Sequence, residues 1–469
     1  MDYELRFPGK FHEQLRQHLF PDDGLEAVAV VLCGRHESEG CSILLAHQVA
    51  MIPYAECDRR TDRITWSTRR VIPLLEAVEK RNFAILKIHS HPGGYYRFSD
   101  IDDASDDEFF STVFSWSETD QVHGSAIMLP DGKVFGRVVA RDLRKAILDT
   151  VSVAGDQIRI WRAATAPVDD LPEEGFSLRN RQVFGESTHF LLRELRVGVV
   201  GCSGTGSPTI EQWYRLGVGE LVLVDPKPVE DRNLNRIIQS KKEDVRQGLN
   251  KTDMLKAAIE GVELGTRVYS YPVSLFDSKE VLLRLIRCHI LVGCMDSAEG
   301  RHLLGQLANF YVLPYFDLGV QLNADGHGGI NSISAMTHYI QPGMSSLLSR
   351  NAYSIERLEA EGLARRSPEE YAKRLKAGYI LNANEERPAV LPVNMLISSM
   401  GMIDCLNRLH DKPFKEDSPA EYARMLMDYT GNCIENRAED KFRVDEPASR
   451  FTGRGDCKPF LRIPDLDRL

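Results

Sequence analysis

The string His-Ser-His-Pro that begins at His89 carries two imidazoles, the second of them on His91. A serine and an aspartate follow at Ser99 and Asp102. Two histidines at the end of a strand can face one cavity, and an aspartate in the first turn of the next helix can complete a set of three ligands. Three protein ligands leave a fourth position for water, the arrangement of a catalytic zinc ion. The spacing therefore predicts a hydrolytic Zn²⁺ site.

A hydrolytic metal site also needs a general base close to the water, and a donor for the developing oxyanion helps it. Ser99 has the right chemistry for that donor. Glu26, just before the first apolar run of the chain, is the candidate base, and Glu37, which lies beyond Gly34, is its rival.

A second set of candidate residues surrounds a glycine-rich turn that contains Gly201, Ser203, Gly204 and Gly206. Glycines between a strand and a helix let the backbone turn tightly and approach a phosphate at the helix N-terminus. Asp225, at the end of the next predicted strand, is placed to accept hydrogen bonds from a ribose. Alone, this pattern is typical of a Rossmann domain that binds a nicotinamide or flavin cofactor.

Four further residues favour a different chemistry: Asn233, Arg236, Lys251 and Asp296. A hydride-transfer site has no need for these groups beside phosphates, whereas a phosphate-displacing site does. Arginine and lysine offset triphosphate charge, and an aspartate can hold Mg²⁺ against it. The second set therefore predicts a site for ATP and Mg²⁺.

Composition excludes several classes of protein. The 469 residues carry a formal net charge of −10, which argues against a nucleic-acid binder. No stretch approaches the roughly 18 apolar residues that a membrane span needs, and the N-terminus lacks a signal pattern. The nine cysteines include no Cys-x-x-Cys pair, which indicates reduced thiols. We expect a cytoplasmic protein without a membrane or nucleic-acid partner.

The first half of the chain predicts a mixed α/β domain over 1–145, followed by a proline- and acid-rich linker over 146–177. Helices are expected over 69–81 and from about residue 101. Strands are expected over 27–33, 42–53 and 83–88, with a hairpin over 122–140.

The second half predicts a separate architecture over 178–410. A strand over 196–200, a helix through about residue 216 and a strand over 220–224 form a βαβ unit, so we expect a mostly parallel sheet. A further strand is expected over 289–293 and a helix over 391–409. The polar stretch 344–390 predicts a helical excursion, and the tail, 411–469, carries little signal.

The string from His89 to Asp102 resembles the JAMM (MPN-plus, JAB-type) metallopeptidase family, whose pattern it matches completely. The resemblance implies that His89, His91 and Asp102 bind zinc, that Ser99 steadies the tetrahedral intermediate and that Glu26 is the acid/base. Members of that family cleave isopeptide or peptide bonds after the C-terminus of ubiquitin-like proteins.

The segment from about Arg181 to Leu409 resembles the ubiquitin-activating enzymes and the ThiF/MoeB-type bacterial adenylyltransferases, which implies a Rossmann-like adenylation domain. Its motifs are Arg181-Gln182, the glycine loop, Leu223-Val224-Asp225, Asn233-Leu234-Asn235-Arg236, Lys251 and Asp296. By this resemblance Asp225 binds ribose, Asp296 carries Mg²⁺, and Asn233, Arg236 and Lys251 handle the phosphates. Arg181 reaches the site of a neighbouring protomer, which implies a homodimer. The reaction joins AMP from ATP to the C-terminal carboxylate of a ubiquitin-like protein.

The chain departs from the second family in three places. Ser203 stands where a second glycine is common. Ser345, Ser346 and Ser349 fall in the region where many bacterial relatives carry zinc-binding cysteines, so that structural zinc is expected to be missing. No cysteine lies between Cys294 and Cys405, where eukaryotic relatives place a thioester cysteine.

Three functions stay open on the sequence. The first is a two-headed enzyme of a bacterial ubiquitin-like pathway, which removes and activates the modifier and has a conjugating-enzyme-like partner. The second is the processing and activation of a sulfur-carrier protein in cofactor biosynthesis. The third is a scaffold that binds a modifier, with one or both heads inactive.

Overall fold

The computed structural model describes residues 1–116, 118–163, 175–325, 327–377, 390–410, 414 and 421–468. The chain forms two compact units, the first from residues 1–167, 309–312 and 450–462, and the second from the remainder. Parts of three predicted regions lie outside the described residues. They are residues 164–174 of the predicted linker, residues 378–389 of the predicted excursion, and residues 411–413, 415–420 and 469 of the tail.

The first unit is built on a nine-stranded mixed sheet with the strand order β11-β10-β1-β3-β2-β6-β7-β8-β9. Its strands are β1 (Asp2–Pro8), β2 (Val28–Ser38), β3 (Cys41–Met51), β4 (Cys57–Arg59), β5 (Ile64–Trp66), β6 (Ala84–Ser90), β7 (His123–Met128), β8 (Val134–Val139), β9 (Lys145–Ile147), β10 (Thr150–Ala154) and β11 (Ile158–Arg162), of which β4 and β5 form a separate small sheet. Its helices are α1 (Gly9–Leu19), α2 (Ile72–Arg81) and α3 (Asp100–Ser115).

Both faces of the central strand β2 are buried, which explains its continuous apolar run. Val28 and Val30 belong to a core that includes residues of α2 and α3, whereas Ala29 and Val31 belong to a core that includes Leu15 of α1. Because side chains alternate along a strand, the sheet carries helices on both faces. β2 runs past the predicted end at residue 33 because β3 pairs with it as far as the Ser38–Cys41 turn.

The predicted linker over 146–177 has to be shortened. β10 and β11 lie inside that range, and β10 pairs in parallel with β1 while β11 pairs antiparallel with β10. Both strands are short and flanked by polar residues, so the sequence pattern did not separate them from a linker.

The second unit contains an eight-stranded sheet with the strand order β14-β13-β12-β15-β16-β17-β18-β19. Its strands are β12 (Arg196–Val200), β13 (Glu220–Val224), β14 (Arg267–Tyr271), β15 (Ile290–Gly293), β16 (Tyr315–Ala324), β17 (Ile330–Ile340), β18 (Tyr422–Asp428) and β19 (Cys433–Ala438). Its helices are α4 (Leu178–Glu194), α5 (Gly206–Arg215), α6 (Lys242–Gln247), α7 (Lys251–Glu260), α8 (Lys279–Ile286), α9 (Ala298–Tyr311), α10 (Ile355–Arg366), α11 (Pro368–Lys376), α12 (Leu391–Leu409) and α13 (Glu446–Ser449).

The first five strands of this sheet, in the order β14-β13-β12-β15-β16, are parallel, and β17 to β19 extend it antiparallel. The order 3-2-1-4-5 is that of the Rossmann fold, and it places a crevice between the carboxyl ends of β12 and β15. The predicted Rossmann-like, mostly parallel architecture is therefore confirmed.

The tail, whose role the sequence pattern did not predict, contributes residues to both units. β18 and β19 complete the edge of the second sheet, whereas residues 450–462 belong to the first unit. Among the described residues, none of the helices has the length and apolar composition that a membrane crossing requires.

Candidate active sites

The predicted zinc ligands lie at one end of the first unit's sheet. His89 is the penultimate residue of β6, His91 follows that strand, and Asp102 lies in the first turn of α3. His89 Nε2 is 2.9 Å from Asp102 Oδ1, and His91 Nε2 is 3.5 Å from Asp102 Oδ2. All three side chains are buried, and their ligand atoms lie within 4.8 Å of one another.

The chemistry of this cluster fits a divalent cation. The two Nε2 atoms lie 3.2 Å apart, so a shared proton or cation is needed between them. His91 Nδ1 lies 2.7 Å from the Tyr95 carbonyl oxygen, which makes it the donor and frees Nε2 to act as a ligand. Burial lowers the pKa of His89 and so favours the neutral imidazole that a metal requires.

Ser99 contacts Asp102 and not the histidines. Its Oγ and its backbone N–H both donate to Asp102 Oδ2 at 2.7 Å, and the Asp102 N–H donates back to Ser99 Oγ at 3.2 Å. This is a capping box at the start of α3. The box fixes the rotamer of Asp102 and holds the Ser99 hydroxyl next to the cluster.

The strand register places Glu26 beside the cluster. Val28 pairs with His89, and the Ser90 N–H donates to the Ala27 carbonyl at 3.0 Å, so Glu26 falls opposite His91. Glu26 is almost fully buried, and burial raises its pKa to about 7. A carboxyl group with such a pKa can both take and return a proton near neutrality.

The rival base, Glu37, lies at the far end of β2. Its Oε1 accepts a hydrogen bond from Ser42 Oγ at 2.7 Å. Nine residues of extended strand separate Glu37 from Val28, a distance of roughly 30 Å. The structure therefore does not bring Glu37 to the histidines.

A buried ionic network that the sequence did not reveal holds α3 against the sheet. Lys87 Nζ, on β6, donates to Asp106 Oδ1 at 2.8 Å, and Arg137 Nη2, on β8, donates to Asp106 Oδ2 at 2.6 Å. Lys87 precedes His89 by two residues and Asp106 follows Asp102 by four, so the network fixes strand and helix next to the ligands. The signal in the sequence was a lysine inside an apolar strand.

The glycine loop of the second unit lies at the carboxyl end of β12. Gly201 has a positive φ of 95°, and a Cβ on Gly206 would lie 1.8 Å from the Gly201 carbonyl oxygen. Only glycine fits both positions. The Cys202 N–H donates to Asp225 Oδ2 at 2.8 Å, which joins the loop to the end of β13.

Two of the predicted phosphate-handling residues, Lys251 and Arg236, lie near this loop. Lys251 Nζ lies 3.7 Å from Asp225 Oδ1, with both side chains buried. Asn233 is buried and its Oδ1 accepts a hydrogen bond from the Glu230 N–H at 3.1 Å, so its side chain shapes its own turn. The Arg236 side chain passes next to Gly204.

Asp296 is exposed just beyond β15, at the same sheet edge. Its carbonyl oxygen accepts a hydrogen bond of 2.7 Å from Arg357 Nη2 on α10. Glu361, also on α10, accepts one of 2.9 Å from the Glu299 N–H at the start of α9. The excursion helix α10 therefore holds the Asp296 segment in place, a role that the sequence did not predict.

Arg181 lies on α4, where its Nε is 3.5 Å from Glu186 Oε1. A non-helical Gly185, with φ 79°, interrupts the helix four residues later. Nothing in a single chain tests whether Arg181 reaches a second protomer, so this role stays a prediction.

The serines of the excursion are engaged in hydrogen bonds. Ser345 is buried and contacts Glu439, and Arg350 Nε donates to its Oγ at 2.7 Å. Ser346 Oγ donates to Asp445 Oδ2 at 2.5 Å. These contacts fasten the start of the excursion to the segment after β19.

Residues 177–437 match the ThiF family, and residues 8–127 match the prokaryotic homologs of the JAB domain. The ubiquitin-like modifier-activating enzyme 5 of Bombyx mori is 29% identical over 165 residues, which are 33% of this chain and 39% of that protein. The enzyme of the same name from Aedes aegypti is 25% identical over 207 residues, 42% of this chain and 49% of that protein. The chain thus spans less than half the length of these relatives.

Among solved structures, MccB of E. coli in complex with succinimide is similar with a TM-score of 0.44 and 16% identity. The match covers 58% of this chain and 74% of that one. PaaA is similar with a TM-score of 0.41 and 16% identity, covering 60% of this chain and 77% of that one.

Proposed function

Because the chain belongs to the ThiF family through residues 177–437, we propose that its second unit uses ATP to adenylate the C-terminal carboxylate of a ubiquitin-like protein. We propose further that the first unit cleaves the peptide or isopeptide bond after that same C-terminus. The chain would then both free and activate one modifier of a bacterial ubiquitin-like pathway.

The observation that carries the first proposal is the charge arrangement around the glycine loop. Lys251 and Asp225 are buried together there, and Arg236 runs past Gly204. Cations beside phosphate-binding N–H groups stabilise the charge that develops when pyrophosphate leaves. A dehydrogenase needs neither Lys251 nor Arg236 beside the phosphates, which favours ATP over a nicotinamide cofactor.

Asp296 would hold Mg²⁺ at this edge of the sheet. When bound, Mg²⁺ offsets phosphate charge and orients the leaving pyrophosphate. The chain's own residues then have separate tasks: Asp225 binds the ribose, Asn233, Arg236 and Lys251 bind phosphate oxygens, and Arg357 steadies the Asp296 segment.

His89, His91 and Asp102 would hold Zn²⁺ in the first unit. When bound, Zn²⁺ lowers the pKa of a coordinated water to near neutrality and polarises the scissile carbonyl. Glu26 takes a proton from the attacking water and returns it to the leaving amine. The Ser99 hydroxyl turns from Asp102 Oδ2 to donate its one hydrogen to the developing oxyanion.

Modifier-dependent exchange of labelled pyrophosphate into ATP tests the adenylation proposal. Asp296→Ala and Arg236→Ala are each expected to lower the exchange by about 10² or more, because both act on phosphate charge. Both variants should cleave a modifier fusion normally. A requirement for NAD(H) instead of ATP would overturn the proposal.

Metal analysis tests the peptidase proposal. We expect about one zinc per chain, lost in His89→Ala, and we expect chelation to abolish cleavage while exchange continues. Active protein without zinc would reject the assignment.

Sulfur-carrier activation remains the second candidate function, since it uses the same adenylation chemistry. A lysine- or serine-linked conjugate would favour a conjugation pathway with a conjugating-enzyme-like partner, whereas a thiocarboxylate product would favour sulfur transfer. A protein that binds modifier without exchange or cleavage would be a scaffold. We propose that the enzyme acts as a homodimer through its second unit, with Arg181 completing the partner's site.

A further inference from the structure

Asn394, near the start of α12, has a buried amide group without a full set of hydrogen bonds. Only 2% of the residue is exposed. Its Oδ1 lies 3.3 Å from the Thr205 hydroxyl, whereas its Nδ2 has no hydrogen-bond partner in the part of the chain that the structure describes. A buried N–H without an acceptor destabilises the folded chain, because it has lost its hydrogen bond to water. One explanation for such a group is a ligand that supplies the missing acceptor.

The free N–H group lies against the glycine loop. A Cβ on Gly204 would come within 2.4 Å of Asn394 Nδ2 and within 3.1 Å of Arg236 Cδ. Gly204 precedes α5, whose N-terminus attracts anions. An amide donor from α12 and the side chain of Arg236 therefore approach the same turn from different parts of the chain.

We propose that Asn394 is a nucleotide-binding residue whose Nδ2 donates a hydrogen bond to a phosphate oxygen of ATP. The proposal rests on the proposed use of ATP by the second unit. Thr205 acts as a positioning residue, because its hydroxyl donates to Asn394 Oδ1 and so turns Nδ2 toward the loop. A phosphate oxygen is the fitting acceptor, since the surrounding loop and Arg236 already favour an anion.

Nucleotide binding to the full chain, without a modifier, tests the proposal. Asn394→Ala removes the donor and is expected to weaken ATP binding about 10-fold or more, in line with a hydrogen bond to a charged group. Asn394→Asp keeps the shape and the acceptor for Thr205 but places a carboxylate next to phosphate, so it should bind ATP more weakly than Asn394→Ala. Adenosine, which lacks phosphates, should bind all three proteins alike.

Ser398→Ala is the matched control, one turn further along α12. Ser398 Oγ lies 2.8 Å from Thr209 Oγ1 and 2.8 Å from Gln212 Nε2, so its loss disturbs the packing of α12 on α5 without removing a donor from the loop. We expect its ATP affinity to stay within twofold of the unaltered protein. Thermal unfolding without nucleotide checks that each variant folds. If Asn394→Asp does not fold, Asn394→Ala alone carries the test.

ATP affinity within twofold of the unaltered protein in Asn394→Ala would overturn the proposal, whatever the affinity of Asn394→Asp. An equal loss of ATP and adenosine affinity would also overturn it, because that pattern indicates a distorted loop. If the unaltered chain binds no ATP, the proposed adenylation fails first, and this outcome is distinct from a normal affinity in the variants.

Discussion

Ser90 shows how a single residue organises the cluster of His89, His91 and Asp102. In an extended strand, alternate side chains share a face, so His89 and His91 point to one side and Ser90 to the other. The Ala27 N–H donates to Ser90 Oγ at 2.9 Å, which ties the histidine segment to the residue after Glu26. The local spacing was therefore enough to predict that the side chains of His89, His91 and Asp102 lie together. The choice between Glu26 and Glu37 depended on strand register, which spacing alone does not give.

Glu26→Gln is expected to retain zinc and to lose cleavage of a modifier fusion by a factor of about 10² or more, because a positioned proton carrier is removed. Glu37→Gln is the matched control at the other end of β2 and should cleave normally. Initial rates with equal zinc contents measure the difference. Normal cleavage by Glu26→Gln would show that the base is misassigned.

Asn394 and Arg357 illustrate which site residues the sequence concealed. Asn394, on α12, lies more than 60 residues beyond the glycine loop that it contacts. Arg357, on the excursion helix α10, lies more than 60 residues beyond Asp296. Asn394 is a lone polar residue in the apolar start of α12, and Arg357 is one of several charged residues on α10. Residues of both kinds usually have structural roles, so neither marked a site in the sequence. Only the tertiary contacts reveal their partners.

Three strands of the second unit, β12, β13 and β15, were predictable because they are buried and short. The strands expected over 196–200 and 220–224 coincide with β12 and β13. Continuous apolar runs between glycine-rich turns are typical of such strands. β16 and β17 are mixed in polarity toward their connecting turn, so they carried no comparable signal.

The turn between β12 and α5 allows a prediction about backbone packing. Gly206→Ala places a Cβ 1.8 Å from the Gly201 carbonyl oxygen, and neither backbone can move aside without opening the loop. We expect loss of modifier-dependent pyrophosphate exchange by about 10² or more, since phosphate-binding N–H groups are displaced.

Gly305→Ala provides the control for that substitution. Gly305 lies within α9, and the nearest neighbour of an added Cβ is Tyr315 Cε1 at 3.9 Å, an ordinary contact. Alanine in place of a helical glycine adds about 0.5–1 kcal/mol of stability. Full exchange activity in Gly206→Ala would contradict the inferred close approach of the loop to phosphate.

On the scale of the whole molecule, the first unit is completed by residues from the far end of the sequence. The Asp456 N–H donates to the Arg35 carbonyl at 2.8 Å, and His36 Nδ1 lies 2.9 Å from Asp456 Oδ1. A Cβ on Gly34 would lie 2.2 Å from the Gly453 carbonyl oxygen. Local periodicity cannot predict a contact between residues about 420 positions apart, so the tail carried no signal for this role.

Asp456→Ala is expected to destabilise the first unit by about 1–3 kcal/mol, because it leaves the buried His36 Nδ1 without its acceptor. Tryptophan fluorescence during urea unfolding measures this, since Trp66, Trp116 and Trp161 lie in the first unit and only Trp213 in the second. Asp440→Ala, which removes an exposed carboxylate paired with Lys441, is the control. Equal midpoints for the two variants would argue against a stabilising role of the segment.

The release of the activated carboxylate also concerns the whole molecule. The chain has no cysteine from Met295 to Asp404. Cys405 is buried, which raises the pKa of its thiol and disfavours the reactive thiolate.

A serine hydroxyl is a weak nucleophile unless a base activates it. Ser345 is buried against Glu439 and Arg350, and Ser346 is bonded to Asp445. These contacts favour direct transfer of the modifier from the adenylate to a partner's nucleophile.

We therefore expect no covalent adduct between enzyme and modifier after incubation with ATP and electrophoresis under denaturing conditions, although adenylate forms. A band that reducing agent removes would indicate a thioester and contradict direct transfer. A band that resists reductant and yields to hydroxide would indicate an ester, and Ser346→Ala would then be compared with Ser349→Ala. Ser346 is the one of this pair with a carboxylate neighbour, Asp445, that can act as its base. Loss of the band in Ser346→Ala alone would replace direct transfer with an oxyester step at that residue.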